Sequence, residues 1–280
     1  MRLMIRPLEI GVFIHSTGIE DPFESLNKIG EWGFRCTQMG VVPPDFYTDE
    51  NAEKILAGMC ETGVESVGFF VGFPGESYAS MDDVAATVGF VFPEKLAERM
   101  EIMRASIEFA SKCRQPGVLV HMGFLPHDTA DPIYKQMYDA LAQCADWCAE
   151  KRMFIGLETG QEQADLLAAF LESLGRNNVY INFDPANLIL YGKDKPVDAF
   201  RRIGNHVISC HAKDGVWPTQ EGQLGSEVPL GQGQVNIPEF VQALKDMRFK
   251  GPIVIEREAG DEREKDILAG RDLLLKSIWG

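Results

Sequence analysis

Residues 154–187 read F-I-G-L-E-T-G-Q-E-Q-A-D-L-L-A-A-F-L-E-S-L-G-R-N-N-V-Y-I-N-F-D-P-A-N. An apolar run at 154–158 stops at Glu158, a helical pattern occupies 163–174, and a second apolar run at 179–184 stops at Asp184. A strand, a covering helix and a second strand, in that order, make the unit of a parallel sheet, because parallel neighbours need a crossover. The strand segments are continuously apolar rather than alternating, as expected where helices cover the outer face.

The same alternation extends to both ends of the chain. Candidate strands fall at 8–14, 34–39, 64–71, 117–121, 154–158, 179–184, 206–211 and 252–256. Helical patterns lie at 22–32, 50–62, 93–114, 132–152, 163–174, 197–203, 237–247 and 262–278. Eight strands, each followed by a helix, predict an α/β fold of the (β/α)8 TIM barrel type. The length of 280 residues suits one such barrel, which typically needs roughly 250. An open doubly wound sheet would want a phosphate-binding glycine turn after its first strand, and Ile14-His15-Ser16-Thr17-Gly18 is not one. With no linker, low-complexity tract or internal repeat, residues 1–280 are expected to form a single domain. Two connections, 72–92 and 212–236, are long for an α/β unit. Both follow strand C-termini, where barrel active sites sit, so they are expected to act as lids or substrate clamps.

The last four strands end in residues that carry chemistry. They close with Gly156-Leu157-Glu158-Thr159-Gly160, Asn182-Phe183-Asp184-Pro185-Ala186-Asn187, Ser209-Cys210-His211-Ala212-Lys213-Asp214 and Ile255-Glu256-Arg257-Glu258. In a closed barrel Glu158, Asp184, His211 and Glu256 converge on one region of the C-terminal face. Charged groups gathered there repel one another and lose hydration unless a cation compensates them. Three carboxylates and one imidazole form a hard ligand set for one divalent metal ion. Mn²⁺, Mg²⁺ or Co²⁺ suits it better than a thiolate-type zinc site would, and Zn²⁺ remains admissible.

G-L-E-T-G at 156–160, F-D-P-A-N at 183–187, H-A-K-D at 211–214, the Gly231/Gly233 pair and I-E-R-E at 255–258 together resemble the xylose-isomerase-like barrel superfamily. That superfamily contains sugar isomerases, ketose 3-epimerases, inosose dehydratases and the endonuclease IV branch, and the resemblance covers nearly the whole chain. In the epimerase branch the matching glutamate, aspartate, histidine and glutamate bind one metal. The resemblance thus implies that Glu158 and Glu256 are also the catalytic acid/base pair, working on opposite faces of the substrate. The implied activity is isomerisation or epimerisation of a small sugar, sugar acid or keto-polyol, by α-proton transfer through an enediolate. A lyase or dehydratase on the same groups, including cleavage of a 3-keto-glycoside, is the alternative. A non-catalytic carbohydrate-binding barrel is the reading from a different class.

Departures from the family patterns narrow these readings. The endonuclease branch uses extra histidines, whereas here residues 69–72 read F-F-V-G, Asn187 follows the aspartate motif, and 227–229 read E-V-P. DNA repair is therefore disfavoured. Ketose 3-epimerases usually place a histidine at the Asn187 position and an arginine in the loop that here offers Lys213, which argues against a simple free ketohexose. No arginine or lysine cluster marks the last two loops, so a phosphorylated substrate is not favoured.

Substrate contacts are expected from Asn187, Lys213, His121, Gln38 and His15, all placed at or just past strand ends. Trp217, Phe73 and Tyr78 lie in the long connections, where they either stack on a sugar or pack the loop. Arg257 and Glu258 read as a structural pair or as an outer layer of contacts beside Glu256. Gly231-Gln232-Gly233 lacks the rest of a dinucleotide motif and reads as a turn. His206, Arg201 and Arg202 read as solvated or capping groups.

Composition sets the outer limits. The chain is 45% hydrophobic and 25% charged, an ordinary globular balance, with a formal net charge of −15. Such a charge repels phosphate backbones and anionic lipid, so neither nucleic acid nor a membrane is an expected partner. A small carbohydrate-like substrate is, and a homo-oligomer is compatible with this composition. The six cysteines form no C-x-x-C pair. Cys144 and Cys148 share a helix face and read as buried apolar residues, which fits a reducing, cytoplasmic location. The N-terminal M-R-L-M-I-R-P-L lacks the apolar segment of a signal peptide.

Overall fold

In the computed structural model, which describes residues 6–160, 162–220 and 222–280, eight parallel strands close into a barrel. Residues 1–5, on which part of the reading of the N-terminus rests, lie outside the described residues. The staves are β1 (Ile10–Phe13), β2 (Cys36–Gly40), β3 (Glu65–Val71), β4 (Gly117–Val120), β5 (Phe154–Glu158), β6 (Val179–Phe183), β7 (Val207–Ala212) and β10 (Ile253–Ile255). A separate antiparallel pair, β8 (Asp214–Val216) and β9 (Ser226–Val228), lies between the last two staves in sequence. The barrel closes where β1 pairs with both β2 and β10.

Helices α1 (Pro22–Glu31), α2 (Asp49–Thr62), α3 (Met81–Thr87), α4 (Pro93–Lys112), α5 (Pro132–Glu150), α6 (Ala164–Leu174), α7 (Pro185–Leu190), α8 (Pro196–Ile203), α9 (Ile237–Asp246) and α10 (Arg263–Trp279) complete the chain. Several start where the sequence supplies a cap. Asp21 accepts the backbone N–H groups of Phe23 and Glu24 at 2.7 and 3.1 Å, with Pro22 as the first helical residue. Asp131 and Pro132 repeat the device for α5. Each such cap satisfies donors that have no partner inside the helix.

Two apolar layers follow from the alternation of strand side chains. Outward residues such as Ile155, Leu157, Ile181 and Phe183 join the large core beneath the helices. Inward residues Phe13, Cys36, Phe70, Leu119 and Val254 fill the barrel itself. Cys144 and Cys148 are buried in the outer core, where burial pushes the Cys148 thiol up to about 12, so both act as small apolar groups.

Three elements exceed the sequence pattern. The connection 72–92 contains α3, the connection 212–236 folds back as the β8–β9 pair, and residues 185–190 form α7. No helix among the described residues is long and apolar enough to cross a membrane.

Candidate metal centre and active site

The motif G-L-E-T-G is explained by what it holds. Thr159 Oγ1 donates to the Asp184 carbonyl at 3.0 Å and accepts the Asp184 N–H at 2.8 Å, fastening the end of β5 to the end of β6. Gly160 has φ of 141°, and a Cβ there would come within 2.4 Å of Asn187 Cβ. Only glycine lets β5 leave the barrel so close to α7. Asp184 caps that helix, its Oδ1 accepting the Asn187 N–H at 2.9 Å, while Oδ2 points inward. The F-D-P-A-N motif is therefore a helix start: aspartate as cap, proline as first residue, asparagine as third.

Asp184 and His211 are fully buried, Glu158 is 2% exposed and Glu256 7%. His211 Nδ1 lies 3.1 Å from Glu158 Oε1, 3.4 Å from Asp184 Oδ2 and 2.6 Å from Glu256 Oε2. One ligand atom from each of the four falls within 4.8 Å of all the others, so the group could hold a metal ion. Glu256 Oε2 has no hydrogen-bond partner despite its short approach to the imidazole. An orphaned buried oxygen costs free energy unless something else satisfies it. A hard divalent cation fits this donor set.

The charges of the four are strongly interdependent. Burial lifts Glu158 to about 7, although the His211 charge works against the shift. Burial also disfavours an ionised Glu256, yet Lys213 and His211 overcome it and hold that carboxyl down at about 2. Asp184 is likewise lowered against its burial, by His211 and Lys213. Burial disfavours the His211 imidazolium, but Glu158 and Glu256 raise it well above the ordinary histidine range. A proton on His211 partly offsets the carboxylates when no cation does.

A cavity of about 500 Å³ reaches this cluster at Glu256, within the usual span of small-molecule sites. Both long connections border it, Gly72, Glu76 and Tyr78 from one and Leu224, Gly225 and Glu227 from the other. Asn187, Lys213 and His121 line it as well. Asn187 Nδ2 donates to Glu158 Oε1 at 3.2 Å. Lys213 Nζ donates to Glu256 Oε1 and Glu258 Oε2, each at 3.1 Å. His121 stands 3.9 Å from Glu158 Oε1 with its ring 5.6 Å from that of Tyr78, and burial holds its imidazole down at about 4.

Gln38 and His15 are not among the residues that line the cavity. Gln38 is fully buried beneath it, with Oε1 2.6 Å from His211 Nε2. β1 stops at Phe13, and a turn of 3₁₀ helix over Ile14–Thr17 carries His15 aside, where Nε2 meets the Gly40 carbonyl at 2.7 Å. Arg257 and Glu258 do not pair either: Arg257 bridges Glu227 and Asp266 at 2.6 and 2.9 Å, and Glu258 serves Lys213. Phe73 packs on Phe90, and Trp217 packs against the core rather than the cavity. Arg201 and Arg202 form surface ion pairs, and His206 Nε2 lies 3.5 Å from Glu172 Oε1.

Asp214 is a residue whose role the sequence did not disclose. Its carboxylate accepts four backbone N–H groups, from Gly215, Gly231, Gly233 and Val235, at 2.9–3.1 Å. The Gly231-Gln232-Gly233 turn is thus wrapped around Asp214. A Cβ on Gly233 would lie 2.1 Å from Asp214 Oδ1.

A family model described as a xylose isomerase-like TIM barrel matches residues 26–277. The chain belongs to this family. Among solved structures, the xylose isomerase domain protein from Planctomyces limnophilus is 32% identical with a TM-score of 0.90, over 97% of this chain and 99% of that one. Among curated relatives, L-ribulose-5-phosphate 3-epimerase UlaE of Salmonella heidelberg is 24% identical over 86% of this chain and 84% of its own. An uncharacterized Methanocaldococcus jannaschii protein is 25% identical, the match spanning 59% of this chain and 60% of that relative's length. Relatives of this xylose isomerase-like barrel therefore include sugar epimerases.

Proposed function

We propose that this xylose isomerase-like barrel is a divalent-metal-dependent epimerase or isomerase of a small sugar, sugar acid or keto-polyol. The observation that carries the reading is the convergence of Glu158, Asp184, His211 and Glu256, a cluster that a cavity of about 500 Å³ reaches at Glu256. A divalent cation held by these four would polarise the substrate oxygens beside the reacting carbon. Glu158 and Glu256 are the proton carriers: one takes up the proton next to the carbonyl, and the other, entering the step protonated, delivers its own proton to the resulting enediolate. Their approach to His211 Nδ1 from separate staves suits work on two faces of one carbon. Asn187, Lys213 and His121 orient the hydroxyl groups, and Tyr78 and Leu224 on the two connections screen the reaction from water.

Among the described residues lining the cavity Lys213 is the sole lysine or arginine, and both its near neighbours are carboxylates. A substrate phosphate would find no free cation there. We therefore extend the epimerase reading of the curated relative to this chain but not its phosphorylated substrate.

The test uses protein stripped by a chelator and reloaded with Mn²⁺, Mg²⁺, Co²⁺ or Zn²⁺, incubated in D₂O with ketoses, keto acids and 3-keto-glycosides. NMR should find an epimer or isomer that carries solvent deuterium, formed only with metal. Release of water or an aglycone would assign a lyase on the same groups. No turnover of any member would count against an enzyme of this class.

A further inference from the structure

Beneath the four converging groups lies a buried chain of polar side chains. Gln38 and Asn182 are fully buried and Ser209 is 1% exposed. Asn182 Nδ2 donates to Glu158 Oε2 at 2.6 Å. Asn182 Oδ1 accepts from Gln38 Nε2 at 3.0 Å and from the Ser209 hydroxyl. Gln38 Oε1 lies 2.6 Å from His211 Nε2.

The direction of each bond follows from the one before it. A metal-ligating carboxylate accepts only, so Asn182 must turn its NH₂ to Glu158. Its carbonyl then faces Gln38, whose NH₂ supplies the hydrogen. That leaves the Gln38 carbonyl against His211 Nε2, and a carbonyl cannot donate, so Nε2 carries the hydrogen. Asn182 Nδ2 also stands 3.1 Å from His211 Nε2. Were it the donor there, Nε2 would be an acceptor lying 2.6 Å from a second acceptor, Gln38 Oε1. The shorter contact decides.

We propose that Gln38, held in orientation by Asn182, is a positioning residue that fixes His211 in its Nε2–H form. The Nδ1 lone pair is then the one presented to a cation among Glu158, Asp184 and Glu256. This inference rests on the metal reading above and adds to it. The relay runs from Glu158 to His211, so one ligand's charge orders the other ligand's proton. Outer hydrogen bonds of this kind orient a histidine ligand and tune its basicity.

Zn²⁺, being diamagnetic, is the probe. In the zinc-loaded full-length protein with ¹⁵N-labelled histidine, NMR should find the His211 proton on Nε2 and the metal on Nδ1. Gln38→Met keeps side-chain length without the acceptor, and chelator competition should read a zinc affinity about 10- to 100-fold weaker. Circular dichroism of the metal-free variant checks that it folds. Gln38→Glu keeps an acceptor toward Nε2 but turns a second one on the Asn182 carbonyl, so it should recover part of the loss; a mere packing role predicts no recovery, because the carboxylate adds buried charge. A proton on Nδ1 in the zinc-loaded wild type, or an unchanged affinity in a folded Gln38→Met, overturns the relay and leaves the metal site standing. A wild-type protein that binds no divalent ion overturns both. Should Gln38→Met fail to fold, the wild-type proton assignment decides alone.

Discussion

Lys213 holds its ammonium 3.1 Å from Glu256 Oε1, whereas Glu158 is met by the neutral amides of Asn182 and Asn187 at 2.6 and 3.2 Å. The two glutamates proposed to share a proton are thus built unequal: Glu256 is held ionised and Glu158 is lifted toward neutrality. Lys213→Met removes the cation and leaves Glu256 to its burial. Its pKa should rise, and the acid limb of the pH–activity profile should move up by about one unit or more. An unmoved acid limb would separate Lys213 from Glu256 in function.

Metal binding should release protons. His211 is raised well above its ordinary range in the metal-free site and Glu158 to about 7, so near neutrality a cation must displace a proton from His211 and, in about half of the molecules, one from Glu158. Sign follows directly: affinity rises with pH and weakens as pH falls below 7, by up to about tenfold per unit for each proton released. Chelator competition between pH 6 and 8, with calorimetry in buffers of different ionisation heat, measures the slope. A flat profile would contradict the charge state assigned to the empty cluster.

His211→Ala deletes the only nitrogen ligand of the four. Metal content after purification should fall sharply, by about tenfold or more, while far-ultraviolet circular dichroism keeps its barrel signature. Retained occupancy would mean that the ion sits elsewhere.

Asp214→Ala leaves four backbone donors of the second long connection without their acceptor. Charge-assisted bonds of this kind put the loss at about 2–4 kcal/mol. Thermal unfolding should drop accordingly, and limited proteolysis should open the segment 212–236 first. An unchanged cleavage pattern would show that the turn keeps its shape without the carboxylate.

The legible parts of this chain are those where chemistry interrupts an apolar run. Glu158, Asp184, His211 and Glu256 each stand where a strand's hydrophobic pattern stops, and the closed barrel does bring them together. Gln38, Asn182 and Ser209 were harder to interpret, because a polar residue inside a strand gives no sign of which stave it faces. Register supplies that: Glu158 lies level with Asn182 on the neighbouring strand, both facing inward. Arg257 and Glu258 do not pair, since successive residues of an extended segment point to opposite sides, but Glu258 does back Glu256 through Lys213. His15 stands aside because β1 ends one residue before the apolar run does and a turn of 3₁₀ helix follows. Helix α7 carried a usable signal, the Asp184-Pro185 cap, hidden by reading Asp184 for its charge alone.

The central claim is that Glu158 and Glu256 carry the substrate proton. Its most direct test is solvent deuterium exchange at the α-carbon, followed by NMR on metal-loaded Glu158→Gln and Glu256→Gln. Glutamine keeps an oxygen that can face a cation but cannot accept a proton at neutral pH. Each variant should lose epimer or isomer formation by about 10²-fold or more while retaining much of its metal. One of the two should still wash deuterium into the substrate from a single face. Near-wild-type turnover in both variants, with metal bound, would contradict the account.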